Sequence, residues 1–528
     1  MKLSIVFKTF LLFLFCTGIT SCTAPKKEIT YPETDLSQAA LIPKPLKIDP
    51  TNSAFGLDST TVITTSTTEE FEKIGQFLAK KIQSQLNIGL AVNTKAEQPA
   101  ERTIVIQQTD SLGMDTPEAY TLRITNDSVL LSARTAAGAF RGIQTIRQLI
   151  PEQSNDTLAP QPMWLLPSGT IEDAPNFLYR GAMLDVARHF FTVEEVKKYI
   201  DILAYYKYNA FHMHLTDDQG WRLEIKSWPK LTEVGAQTEV GGGPGGFYTQ
   251  EEFKDLVAYA AERHMQLIPE VDMPGHTNAA SLSYPILNGN RKEVKNYTGT
   301  QVGFSTFDAR KDTVYAFLDD VIREIAAISP SPLFHIGGDE SHATKKADYI
   351  HFVEKVEEIV NKHGKRMVGW NEIAQANISP SAVAQLWNEP HNAIKAAENG
   401  SEIILSPATK AYLDMQYDSL SKHGLHWAAY IPVDDAYNWD PETFVEGLPR
   451  ASIMGIEAPL WSETISNSAE LEYLAFPRAI GYAELGWTPA ARRGWEDYKR
   501  RLVGQLPFLT DNSINFYRSE KIIWENLE

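Results

Sequence analysis

Leu333-Phe334-His335-Ile336-Gly337-Gly338-Asp339-Glu340 decides how the rest of the chain is read: an apolar run ends in two glycines and two adjacent carboxylates. Glycine lets the backbone leave a strand through conformations closed to other residues and lets a ligand come close. Neighbouring strand residues otherwise face opposite sides, so this exit can present both acids at one rim. Taken alone, the pair could equally be acidic residues stabilising a helix N-terminus. The pattern on either side separates the two readings.

From Gly181 onward short apolar strands alternate with helical patterns. The strands are Met183 to Val186, Ala210 to Leu215, Gln266 to Val271, Leu333 to Ile336, Met367 to Trp370, Val383 to Trp387, Glu402 to Leu405 and Ile453 to Leu460. Thr192 with Glu195 and Thr249 with Glu252 form capping boxes that open two of the intervening helices. Eight strands in this rhythm predict an α/β fold, a (β/α)8 TIM barrel over residues 171–528, with an open doubly wound sheet as the alternative.

Upstream, Thr103 to Gln107 reads as a strand, and Tyr120 to Thr125 with Val129 to Ser132 as a hairpin about Asn126-Asp127. Glu69 to Leu86 and Thr135 to Ile150 carry apolar residues at helical spacing. This predicts a small α+β domain over residues 39–170 with no catalytic cluster. Pro167, Asp173, Ala174 and Pro175 mark a turn-rich junction.

At 528 residues the chain exceeds one core, which also predicts two domains. A net charge of −18 without a Lys/Arg cluster excludes nucleic acid as a partner. Residues 1–22 read as an export signal: Lys2 and Lys8 flank or interrupt an apolar run to Ile19 that is too short to span a bilayer. Ile19-Thr20-Ser21-Cys22 resembles the lipobox of bacterial lipoproteins. With Cys16 inside the signal, the mature chain has one thiol, and acylation of Cys22 accounts for it. Residues 23–38 read as a tether. The expected place is a bacterial envelope, with membrane contact only through the lipid. Lys26 and Lys27 favour the periplasmic side over the cell surface.

Barrel enzymes build their sites at the C-terminal ends of strands. Here those ends carry Asp185, Arg188 and His189; Asp217 and Asp218; Glu270, Asp272 and His276; and Asp339 and Glu340. Later exits carry Trp370-Asn371-Glu372, Trp387-Asn388-Glu389 and Trp461-Ser462-Glu463. Indole faces suit the apolar faces of pyranose rings, and carboxylates, Arg and amides suit their hydroxyls. Two carboxyls at such a mouth point to glycoside hydrolysis. Their adjacency suits one acid with one assistant better than an acid facing a protein nucleophile.

Four motifs together resemble glycoside hydrolase family 20, the β-N-acetylhexosaminidases. They are Arg180 to Phe190 (RGAMLDVARHF), His212 to Trp221 (HMHLTDDQGW), Pro269 to His276 (PEVDMPGH) and His335 to Glu340 (HIGGDE). The resemblance implies an exo-acting enzyme that removes terminal β-linked N-acetylglucosamine or N-acetylgalactosamine from oligosaccharides or glycoconjugates. It also implies retention of configuration, an oxazolinium intermediate made by the substrate's own acetamido oxygen, and no metal or other cofactor. By the same resemblance Glu340 is the general acid and then base, Asp339 orients the acetamido group, and Tyr412 donates to its oxygen with Asp414 in support. Arg188 and Glu463 hold sugar hydroxyls. Trp370, Trp387 and Trp461 wall the pocket, and Asp217 and His276 relay hydrogen bonds toward Glu340.

Two alternatives stay open at this point. His212 and His214 with His276 and Asp339 imitate the ligands of a metal-dependent amidohydrolase on a TIM barrel, and a non-catalytic glycan-binding lipoprotein would keep the pocket. Gly241-Gly242-Gly243-Pro244-Gly245-Gly246 lacks the Lys and Ser/Thr of a phosphate loop and reads as a rim loop. Trp427, Tyr430, Tyr437 and Trp439, within 410–446, either line a subsite or pack that loop.

Overall fold

The computed structural model describes residues 31, 33–94, 102–150, 163–290 and 293–524. Cys22, the export signal and the tether as far as residue 30 lie outside the described residues. Leu36, in the short 3-10 helix Leu36–Gln38, is already fully buried, so the folded body begins inside the segment read as a tether.

The first unit is a mixed sheet of β1 (Lys47–Leu57), β2 (Val62–Thr65), β3 (Ala91–Asn93), β4 (Thr103–Gln108), β5 (Tyr120–Ile124), β6 (Ser128–Ala133) and β7 (Trp164–Asp173). Its order is β1-β7-β5-β6-β4-β2-β3. The expected strand and hairpin are β4 and the antiparallel pair β5–β6. Helices Glu69–Leu86 and Ala136–Leu149 also form as read; Phe71, Ile74, Leu78 and Ile82 supply the buried stripe of the first.

β7 corrects the reading of Pro167 as part of a junction. The strand runs through it, with Pro167 opposite Ala54 of β1, and the pairing with β5 begins only at Gly169. Proline lacks an amide hydrogen and is tolerated where one strand edge is free.

Eight parallel strands follow: β8 (Tyr179–Asp185), β9 (Ala210–His214), β10 (Gln266–Glu270), β11 (Leu333–His335), β12 (Arg366–Trp370), β13 (Val383–Leu386), β14 (Glu402–Leu405) and β15 (Ile453–Leu460). β15 pairs with β8 from Gly455 opposite Tyr179 to Leu460 opposite Leu184, which closes the barrel and rules out the open sheet. At this seam a Cβ on Gly455 would stand 1.8 Å from the Tyr179 carbonyl oxygen, so only glycine fits. Both capping boxes are present.

The lower barrel interior is an apolar layer that includes Tyr179, Ala210, Ile268, Leu333, Val368, Val383 and Ile404. The next layer is polar. Glu457 accepts from Gln385 Nε2 at 2.7 Å, faces His212 Nδ1 at 2.9 Å and accepts from the Tyr179 hydroxyl. Glu270 faces His214 Nδ1 at 2.6 Å and accepts from the Trp370 indole at 3.1 Å. Buried carboxylates persist only when paired and hydrogen-bonded in this way.

Glu118 ties the sheet to the lower end of the barrel. Its carboxylate accepts from Arg141 Nε and Arg180 Nη2, both at 2.7 Å, and from Asn209 Nδ2 at 3.0 Å. Burial alone would raise its pKa, but Arg180 and Arg141 outweigh it and hold the group at about 2. A depressed folded pKa gives stability that is present above the unfolded value and is lost as pH falls from about 4.5 through about 2. Glu118→Gln strands two buried guanidiniums and should cost ~3–5 kcal/mol. Denaturant unfolding at pH 7 measures the loss, and repeating it at pH 3 should show a smaller gap from the unsubstituted protein.

Candidate active site

The two acids reach the barrel mouth because the chain after β11 turns through Gly337 (φ 66°) and Gly338 (φ 99°). A Cβ on Gly337 would stand 1.8 Å from Asp272 Oδ1, the atom that accepts the Gly338 amide at 3.1 Å. The Tyr349 hydroxyl donates to the Gly338 carbonyl at 2.6 Å and fixes the turn from the other side. Glu340 at φ 42° and His276 at φ 55° are non-glycine residues in the left-handed region, a strain that concentrates at working sites.

Asp217 is the hub beneath them. It faces Arg188 Nη2 at 2.8 Å, His214 Nε2 at 2.9 Å and His276 Nδ1 at 3.2 Å, and accepts the Asp218 amide at 2.6 Å. Against burial, Arg188 and His276 hold its carboxyl well below the usual range. The other ring nitrogen of His276 lies 3.8 Å from Asp339 Oδ2 and 3.9 Å from Glu340 Oε2. Burial would deprotonate that imidazole, but Asp217, Asp272 and Asp339 hold it as a cation. The Glu340 carboxyl is pushed up, by burial first and then by Asp339.

Above this layer opens a cavity of about 280 Å³, room for a single pyranose with its substituents. Asp339, Glu340, Arg188, Asp414 and Glu463 supply its polar lining, and Trp387, Tyr412, Trp427 and Trp461 its aromatic walls. Tyr412 stands nearly parallel to Trp387, 6.4 Å between centroids and 14° between planes, and 6.2 Å from Trp461. Asp414 Oδ1 accepts the Trp461 amide at 3.3 Å, and the Arg188 guanidinium sits 4.9 Å from the Trp461 ring. The Trp387 indole donates to both oxygens of Glu372 at 3.1 Å.

The sequence-predicted residues thus gather at one mouth, with one displacement. Trp370, expected to wall the pocket, does not line it: the ring is fully buried, 5.5 Å behind Trp461, and its indole is spent on Glu270. The end of β12 points this side chain into the barrel, where the buried Glu270 carboxylate needs a donor. Asp217 and His276 are buried and lie outside the cavity lining.

Thr300, Val302, Leu425 and Thr464 line the cavity without having been singled out for it, and Trp427, read as lining a subsite or packing its loop, lines it as well. Only Trp427, an exposed aromatic in an aromatic-rich loop, carried a signal; the others are ordinary loop residues brought in by tertiary folding. The long loop splits in its duties. Trp427 and Tyr430 are exposed, while Tyr437 and Trp439 are buried. In the glycine-rich stretch the Gly241 amide is spent on the Thr298 carbonyl at 2.9 Å and that of Gly246 on Ala236 at 3.0 Å, so it braces neighbouring loops.

Among the described residues, four triads bring ligand atoms within 4.8 Å of one another, including His212-Glu270-His335 and His276-Asp339-Glu340. His214 and His276 are held as cations by their carboxylates, and His212 is pushed up to about 9 by Glu457 and Glu270 against its burial. An imidazolium offers no lone pair, so a cation at these triads would have to displace a proton first.

Comparison with known proteins now joins this geometry. The model of the family "Glycosyl hydrolase family 20, catalytic domain" matches residues 177–490, and that of "Glycosyl hydrolase family 20, domain 2" matches residues 38–174. The chain is 36% identical over 496 residues to the β-N-acetylhexosaminidase of Cellulomonas fimi, covering 93% of this chain and 98% of that protein. Its structure is similar to the N-acetyl-β-hexosaminidase of Streptomyces plicatus in complex with Thio-NAglucal, at TM-score 0.89 and 44% identity over 94% of this chain and 99% of that one. The Flavobacterium johnsoniae chitobiase is a more distant likeness, at TM-score 0.77 and 26% identity over 91% and 74%. With the family models spanning both units of the fold and the motifs meeting at one barrel mouth, the chain belongs to glycosyl hydrolase family 20.

Proposed function

We propose that this protein is an exo-acting β-N-acetylhexosaminidase that releases terminal β-linked N-acetylglucosamine or N-acetylgalactosamine by retaining, substrate-assisted hydrolysis. The observation that carries it is the entry of Asp339 and Glu340 side by side into an aromatic cavity sized for one sugar, with the His276–Asp217 pair behind them.

Glu340 is the general acid. Its raised pKa keeps a larger protonated fraction near neutrality than an ordinary glutamate has, and that proton goes to the glycosidic oxygen. The acetamido oxygen of the sugar attacks the anomeric carbon as the leaving group departs, closing an oxazolinium ring. Asp339 faces the acetamido nitrogen and balances its growing positive charge, while the Tyr412 hydroxyl donates to the acetamido oxygen. Trp387 and Trp461 enclose the acetamido methyl and the ring, Asp414 supports Tyr412 from the same loop, and Arg188 and Glu463 bind ring hydroxyls. Glu340, now a carboxylate stabilised by the His276 cation, takes a proton from water, which opens the oxazolinium ring from the face the leaving group left. Two inversions give retention.

Glu340→Gln should slow hydrolysis of glycosides with poor leaving groups by about 10²–10⁴ and affect good leaving groups far less, since only the former need protonation. Equal loss across a leaving-group series would remove Glu340 from the acid role. The reading as a whole is tested by release of nitrophenol from the β-N-acetylglucosaminide, β-N-acetylgalactosaminide and β-glucoside, with and without EDTA. Turnover of the acetamido sugars alone, unchanged by chelator, is expected; loss with EDTA would return the metal-dependent reading.

We also propose export and acylation at Cys22, on the periplasmic side. The support is the charged, apolar and small-residue pattern that ends at Ile19-Thr20-Ser21-Cys22. Metabolic labelling with a fatty acid should mark the full-length protein and not a Cys22→Ala variant.

A further inference from the structure

Trp387 stands between two cavities. It lines the catalytic cavity and also a neighbouring one of about 340 Å³, whose lining comes from residues 338–349 and 372–389. Among the described residues, only Trp387 and Glu340 belong to both linings. The indole is therefore a partition with space on its far side. The inner walls beside it are backed by protein instead: Trp370 lies 5.5 Å behind Trp461, and Tyr412 is buried.

Two consecutive residues at the exit of β12 hold this partition. Asn371 Oδ1 accepts the Trp387 backbone amide at 3.1 Å, and both oxygens of the Glu372 carboxyl accept from the indole Nε1 at 3.1 Å. An indole has a single donor, so Glu372 supplies the polar restraint on the ring. Burial first, and then Asp339, push the Glu372 carboxyl up to about 8. Near neutrality it is mostly the uncharged acid, which accepts from the indole without setting a second negative charge beside Asp339. The ring held in this way lies 14° from the plane of Tyr412 and meets Trp427 at 73°.

We infer that Glu372, acting through Trp387, sets the size of the N-acyl group that the catalytic cavity accepts. The inference rests on the hexosaminidase reading, in which the acyl methyl packs against Trp387. A longer acyl chain needs room on that side. The restrained indole denies it, whereas an indole without its acceptor can turn toward the second cavity and yield the space. Glu372 is a positioning residue, since it lines the second cavity and not the catalytic one.

The experiment measures kcat/KM on nitrophenyl β-glucosaminides that carry N-acetyl, N-propionyl or N-butyryl groups. It compares the unsubstituted protein with Glu372→Ala, Glu372→Leu and Glu372→Gln. Ala and Leu remove the acceptor, and Leu also keeps most of the side-chain volume, so the test survives a poorly folding Ala variant. Gln keeps an acceptor oxygen and matches the uncharged acid in shape. The unsubstituted protein should favour N-acetyl over N-propionyl by about tenfold or more, the usual effect of one methylene in a closed apolar pocket. In Glu372→Ala and Glu372→Leu that preference should fall about fivefold, the scale of one neutral hydrogen bond on the ring. In Glu372→Gln it should stay within about twofold. Equal losses on all three acyl groups would mark a merely structural residue and overturn the inference. So would a preference unchanged in the Ala and Leu variants, one lost as fully in the Gln variant, or none in the unsubstituted protein. Absence of turnover of every acylated glycoside by the unsubstituted protein is a different result, since it overturns the hexosaminidase reading itself.

Discussion

Everything at the barrel mouth leans on one buried carboxylate. Asp217 receives an arginine, two histidines and a backbone amide, and these come from the exits of β8, β9 and β10. A lone buried carboxylate would be prohibitively costly, and a lone buried arginine no less so. Together they are stable only in one arrangement, and that arrangement sets the rotamers of Arg188, His214 and His276. Removing one partner strands the others. His276 then passes the constraint to Asp339 and Glu340, so four consecutive strand exits behave as one object.

The same balance sets the chemistry. Asp272, Asp339 and Glu340 crowd together, and left to themselves they would share protons as like charges do. Asp272 is in fact pushed well up, by burial and then by Asp339. The His276 and Arg188 cations offset part of the repulsion at Glu340, leaving a carboxyl whose pKa is raised but which can still ionise. The function requires that intermediate state, because the group gives a proton in one half of the reaction and takes one in the next. The polar middle layer of the barrel extends the pattern downward, with Glu270 and Glu457 matched to His212, His214, Trp370 and Gln385.

Much of this was legible in the chain. All eight barrel strands, both capping boxes, the hairpin and the two long helices of the first unit form where periodicity and cap residues put them, because those signals are local. Reactive side chains at strand ends also read out directly, since a barrel gathers its strand exits at one face. β1 and β7 were not legible. Their strand character comes from pairing with each other across more than a hundred residues of chain, and Pro167 disguises one of them. Trp370 was misplaced because a residue at a strand end can face the cavity or the barrel interior, and the Glu270 carboxylate decides which.

The sequence by itself determined eight strands alternating with helices, the paired acids after β11 and the need for glycine at 337 and 338, all consequences of hydrophobic period and local backbone freedom. Only the tertiary structure decided that the barrel closes, which loop residues wall the cavity, and how the acids share their charge. Those features depend on distances between segments far apart in the chain. Such distances follow from the closing of the barrel and the packing of its loops, which no local pattern encodes.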